Sequence, residues 1–173
     1  MLIFGVRHDE HLNRMSRLTV LTQEEHGIMG LEVAFEHPIA GNNSIFIGTN
    51  KTCMVLDRRH PPETLPESEM LFDISAGEEL IALDVLQSNY VVCIKVYTNL
   101  GRIIELPPPD DDEWDMKTRA EDIGEIISIN PGSGKVVGFF ARAGSKGFQN
   151  LGLVHTKFPM GSDVHFKAEK AVL

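Results

Sequence analysis

Apolar and polar residues alternate with a period of two in about ten short runs, and a chain patterned this way makes strands. In SRLTVLT (residues 16–22), Leu18 and Val20 fall on one face. In IMGLEVAFEH (28–37), Leu31, Val33 and Phe35 alternate with Glu32, Ala34 and Glu36. SIFIGTN, CMVLD, MLFDIS, ELIALDVLQ, VVCIKVYTN, RIIELP, EIISIN, KVVGFFARA and LGLVHTKF follow at short intervals. Between them stand turn formers: Gly41-Asn42-Asn43, Thr49-Asn50, Ser88-Asn89, Asn99-Leu100-Gly101 and Pro131-Gly132. No run carries a sustained helical repeat, so the pattern predicts an all-β sandwich, prism or barrel.

A length of 173 residues with 42% apolar and 24% charged residues suits one folded domain. Two insertions interrupt the strands. One is the proline-rich stretch 58–69; the other, PPPDDDEWDMKTRAED (107–122), joins prolines to an acidic run and has room for a helical turn around 113–120. The domain is expected to span 14–158, with 1–13 and 159–173 as arms outside the core. With 25 acidic against 16 basic residues the net charge is −9, which disfavours nucleic acid and anionic membranes as partners. No apolar run reaches the ~20 residues of a membrane span, and MLIFGV is too short for a signal-peptide core. Cys53 and Cys93 each lie in an apolar alternating run; two buried free thiols are expected, with a disulfide between them as the other option. These features together predict a cytoplasmic location.

Several short motifs suggest chemistry and fail on spacing. Gly132-Ser133-Gly134-Lys135 looks like a phosphate loop, but the leading glycine position is Ile129 and the hydroxyl position is Val136. A hairpin turn at residues 131–134 is expected instead. His8-Asp9-Glu10-His11 has metal-ligand residue types, yet its histidines are three apart and not the four of a helical zinc motif. Asp110-Asp111-Asp112-Glu113 with Asp115 lacks the glycine and distal glutamate of a calcium loop and reads as a solvated acidic run. His26, His37, His60, His155 and His165 are scattered and define no catalytic dyad. Tyr90 and Trp114 fall in predicted loops, where aromatics serve as platforms for sugars or proteins or fold back over the core edge.

From Phe72 onward the order of motifs is specific. Gly77-Glu78-Glu79-Leu80 is followed by Thr98-Asn99 with Arg102, then by Gly134-Lys135-Val136-Val137-Gly138-Phe139, Gly144 and Leu151-Gly152-Leu153. This series resembles the jacalin-like lectin domain over about 14–158, most clearly in the C-terminal half. The resemblance implies a β-prism of three four-stranded antiparallel sheets with pseudo-threefold symmetry. It also implies a sugar site in which loop amides and the aspartate of Gly-x-x-x-Asp bind hydroxyls. Here that loop is one residue longer, Gly144-Ser145-Lys146-Gly147-Phe148-Gln149, and Gln149 stands at the aspartate position. Ser88-Asn89-Tyr90 matches a second sugar-contacting loop of the family.

The resemblance therefore implies a non-catalytic carbohydrate-binding domain. Gln149, Asn89 and loop amides would meet sugar hydroxyls, and Tyr90 or Phe148 would stack on the ring. No cofactor or metal is implied, and weak sites of this kind gain from self-association. Two alternatives stay open at this level: a protein-interaction or self-association module on the same fold, or a small-molecule enzyme using an apolar cavity.

Overall fold

The computed structural model describes residues 2–3, 14–22, 27–39, 42–48, 68–109, 115–132, 135–156 and 166–170. These form three four-stranded antiparallel sheets. The first holds β2 (Met15–Thr22), β3 (Ile28–Ile39), β4 (Asn42–Gly48) and β5 (Glu69–Leu71), in the order β4-β3-β2-β5. The second holds β6 (Leu80–Gln87), β7 (Val91–Thr98), β8 (Ile103–Leu106) and β9 (Glu125–Ile129), in the order β8-β7-β6-β9. The third joins β10 (Val136–Gly144), β11 (Gly147–Thr156) and β12 (Phe166–Lys170) to β1 (Leu2–Ile3), in the order β1-β10-β11-β12.

Each sheet follows one plan. Three strands run as a meander, and a fourth lies beside the first of them, which is Greek-key order. In the third sheet that fourth place is taken by β1, from the opposite end of the chain. Thus Leu2–Ile3 and Phe166–Lys170, from the stretches expected to be free arms, each add an edge strand. Pro131-Gly132 corrects a second expectation. It links β9 of the second sheet to β10 of the third, so it is a passage between sheets and not a hairpin turn. Gly132 adopts φ 73° there, and its N–H donates to Asn130 Oδ1 at 2.9 Å.

The alternation produces the core directly. The central hairpin of each sheet sends two cross-strand apolar pairs inward: Leu18/Val33 and Val20/Leu31, Leu83/Val96 and Val85/Ile94, Phe139/Leu153 and Ala141/Leu151. All twelve are buried in one contiguous cluster at the centre of the prism. Burying a Val, Leu, Ile or Phe side chain contributes about 1.5–3 kcal/mol, and Ala141 less.

A smaller cluster lies on the outer face of the second sheet, under helix α1 (Met116–Ile123). The helix starts at Asp115, whose Oδ1 accepts from Thr118 N at 2.9 Å. Its Met116 N–H donates to Glu105 Oε2 at 3.1 Å, and Lys95 Nζ lies 3.4 Å from the same oxygen. Met116 thereby covers Leu86 and Cys93. The stretch expected to hold a helical turn around 113–120 thus contains a helix, shifted a few residues onward. Cys53, the 8–11 motif, Trp114 and most of the 58–69 insertion lie outside the described residues.

Two groups on this outer face hold their protons unusually tightly. Burial, and next the Glu105 charge, push the Cys93 thiol from 9.0 up to about 12. Burial, and next the hydrogen bond to Asp84, push the Tyr97 phenol from 10.0 up to about 12. Because the folded pKa values exceed the unfolded ones, the stability they confer is complete below about pH 9 and is lost as pH rises towards 12. The urea midpoint should fall through that window, and a Cys93→Ala/Tyr97→Phe variant should lose much of the slope; an equal slope would exclude these groups as its origin.

Candidate functional site

The three central hairpins are β2–β3, β6–β7 and β10–β11. The β2–β3 turn, 23–26, lies outside the described residues, but the strand leaving it is visible. A Cβ added to Gly27 would stand 2.0 Å from Val91 O and 2.4 Å from Tyr90 Cδ2. A Cβ on Gly147 would stand 2.9 Å from Ile28 O. The start of β3 is therefore wedged against both of the other hairpin turns, and bare backbone at these positions is what permits the approach.

The β10–β11 turn consists of Ser145 and Lys146, with Gly144 paired to Gly147. Gly147 has φ 128°, a region that side chains other than glycine's rarely occupy. Pairing then steps from Ala143↔Phe148 to Arg142↔Asn150, so Gln149 has no cross-strand partner. Gln149 is thus the extra residue of a β-bulge, which re-aims the bulged side chain. The bulge buries Phe148 and Asn150 and leaves Gln149 exposed, its side chain lying across Gly144: the Cγ is 2.9 Å from where a Gly144 Cβ would stand. Phe148 is wholly buried in the core cluster, which removes it from the ring-stacking role expected for it.

Asn89 and Tyr90 of the β6–β7 turn and Gly144, Ser145, Lys146, Gly147 and Gln149 of the β10–β11 turn line one cavity of about 240 Å³. Ser88 lies beside the cavity without lining it; its N–H donates to Tyr90 O at 3.0 Å and shapes the turn. Among the described residues, the lining offers amides, a hydroxyl, an aromatic ring and the Lys146 ammonium. Two residues that hold this geometry escaped the sequence reading. Gln87, buried at the end of β6, donates from Nε2 to Ser88 O at 3.1 Å and to Gln149 O at 3.0 Å, which pins the two turns together. A polar residue immediately before a turn, in a strand otherwise apolar at that end, was the available signal. Gly27, at the exit from a hairpin, is the other.

The remaining motifs fall elsewhere. Lys135 reaches Glu79 Oε1 at 3.0 Å and leads into strand β10, with no helix behind it. His155 is buried in β11 and His37 is exposed at the far end of β3. Among the described residues, no three His, Cys, Asp or Glu side chains converge on a point suited to a metal ion. No helix among them is long and apolar enough to cross a membrane.

Three Greek-key sheets around a common core make this the β-prism of the jacalin-related lectins. A prostate-specific glycoprotein lectin superposes with a TM-score of 0.59 over 91% of this chain and 96% of its own, at 13% identity. A variant of Malaysian banana lectin gives 0.53 over 84% of each chain at 18% identity. A mannose-binding jacalin-related lectin from Ananas comosus gives 0.51 over 88% and 85% at 17% identity. No family model and no curated protein matches the chain in sequence. At such identities the likeness is one of fold.

Proposed function

We propose that this chain is a non-catalytic carbohydrate-binding protein whose site is the cavity between the β6–β7 and β10–β11 turns. The observation that carries the reading is the convergence of Asn89, Tyr90 and the 144–149 turn on one polar recess, although they lie far apart in the chain. Saccharide recognition needs hydrogen-bonding groups around a ring-sized space and a flat apolar surface for the ring. The Asn89 and Gln149 amides, the Ser145 hydroxyl and the Tyr90 ring are of those kinds. The polar lining argues against an apolar reaction chamber. Similar β-prisms include mannose-binding lectins, which places saccharides first among ligands to try. Sites this shallow bind weakly, so self-association would raise avidity. Cys93, a buried free thiol, is compatible with a reducing compartment such as the cytoplasm.

Backbone amide NMR during titration with methyl mannoside, glucoside and galactoside tests the site. Shifts at Asn89, Tyr90 and the 144–149 turn are expected at millimolar sugar. Gln87→Leu, which removes the clamp and leaves the lining side chains intact, should weaken binding three- to tenfold, on the order of one hydrogen bond. Absence of response to the sugars, or shifts confined to another surface, would reject the reading.

A further inference from the structure

Helix α1 sits on the outer face of the second sheet and shares little with the prism beneath it. Met116 is its buried residue, Ala120 packs part-buried beside it, and Lys117, Thr118, Glu121 and Asp122 are exposed. Ile123, at its end, is 45% exposed. Met116, Leu86 and Cys93 form a cluster of their own, separate from the core inside the three sheets. The helix has 8 residues. A helix persists alone in water only from about 12–15 residues, so this one is held by its ties to the sheet.

Those ties gather at its first turn. Asp115 Oδ1 accepts from Thr118 N at 2.9 Å and from Thr118 Oγ1 at 3.0 Å. Met116 N donates to Glu105 Oε2 at 3.1 Å, with Lys95 Nζ 3.4 Å from the same oxygen. The other oxygen of Glu105 lies 3.8 Å from Cys93 Sγ. The last turn is closed by a long bond, Gly124 N to Ala120 O at 3.4 Å. Releasing the first turn would lift Met116 off the Cys93 thiol. The inward pairs Leu83/Val96 and Val85/Ile94, on the other side of the sheet, would stay packed. A unit with few buried contacts opens at less cost than the whole fold.

We propose that helix α1 is a lid that opens as a unit while the three-sheet prism stays folded, and that this motion controls access to the Cys93 thiol. With the lid closed Cys93 is fully buried, and burial, with the Glu105 charge, keeps the sulfur protonated and unreactive.

Iodoacetamide reads the open state: the thiolate displaces iodide, and the thiol proton passes to solvent. Alkylation is followed on the full chain at fixed pH by mass spectrometry of the Cys93 peptide, at reagent concentrations where the rate stays proportional to reagent. Asp115→Ala removes the cap and should speed alkylation about fivefold. Ile47→Val trims the core of the first sheet at a position 1% exposed. It should leave the rate unchanged, whereas access through global unfolding would raise it about fivefold as well. A rise with Ile47→Val comparable to that with Asp115→Ala overturns the proposal. So does an Asp115→Ala rate no faster than that of the unaltered chain.

Discussion

Gly27→Ala should lose about 3 kcal/mol of stability, a fall in Tm on the order of 6–12 °C. The cause is one methyl group with nowhere to go. Its Cβ would stand 2.0 Å from a backbone oxygen, Val91 O, which cannot rotate away as a side chain does. Relief requires the start of β3 to part from the β6–β7 turn. Tyr90 Cδ2 lies 2.4 Å from the same point and must shift too, so the cavity that Tyr90 lines should change shape along with the loss of stability. Gly101→Ala is the control. Gly101 has φ 82° but open space around it, so only the backbone penalty applies, about 1 kcal/mol. Thermal melts of both variants check this, and comparable losses would mean that the contact at Gly27 yields easily.

Arg102→Met should cost about 2–3 kcal/mol, for an electrostatic reason. The Glu78 side chain is fully buried, and its Oε1 lies 2.8 Å from Arg102 Nε, in close ionic contact although not aligned as a hydrogen bond. Its other oxygen accepts from Asp73 N at 2.6 Å. Arg102 also donates to Leu71 O, so one guanidinium ties β5 to the loop that precedes β6. Removing it strands a carboxylate away from water. The 44% exposure of Arg102 lets some solvent in, which is why the loss falls below that of a fully buried pair. Adding Glu78→Gln should recover part of the loss, because a neutral amide tolerates burial better. Urea midpoints of the two single variants and the double variant check this. A double variant no more stable than Arg102→Met alone would show that the charge is not what matters.

Much of this architecture is legible in the chain because burial in a sheet has period two. Leu18, Val20, Leu31 and Val33 point inward as alternation requires, and so do their counterparts in the other two sheets. The reading weakens where periodicity is broken or where a segment is too short to show it. The bulge at Gln149 shifts the faces locally, so alternation cannot reveal that Phe148 is core or that Gln149 is set apart. Leu2–Ile3 is two residues long and defines no period. Pro131-Gly132 carries turn chemistry, and such chemistry fixes a local bend without saying which sheets the bend connects. The candidate site was found from loop residues because turns cluster at strand ends. The Gln87 clamp was not, since its role depends on the carbonyl of Gln149, 62 residues further along the chain.

The pairing of Leu2–Ile3 with β10 also sets an order of events for a chain made from its N-terminus. The first two sheets are drawn from continuous stretches ending at Leu71 and Ile129, so each has all its strands once that stretch has left the ribosome. The third is different: its earliest strand is synthesised first and finds its partner only when Phe140 and Ala141 emerge. Until then β1 lacks its partner strand, and its pairing with β10 joins segments far apart in the chain, the kind of contact that costs the most loop-closure entropy.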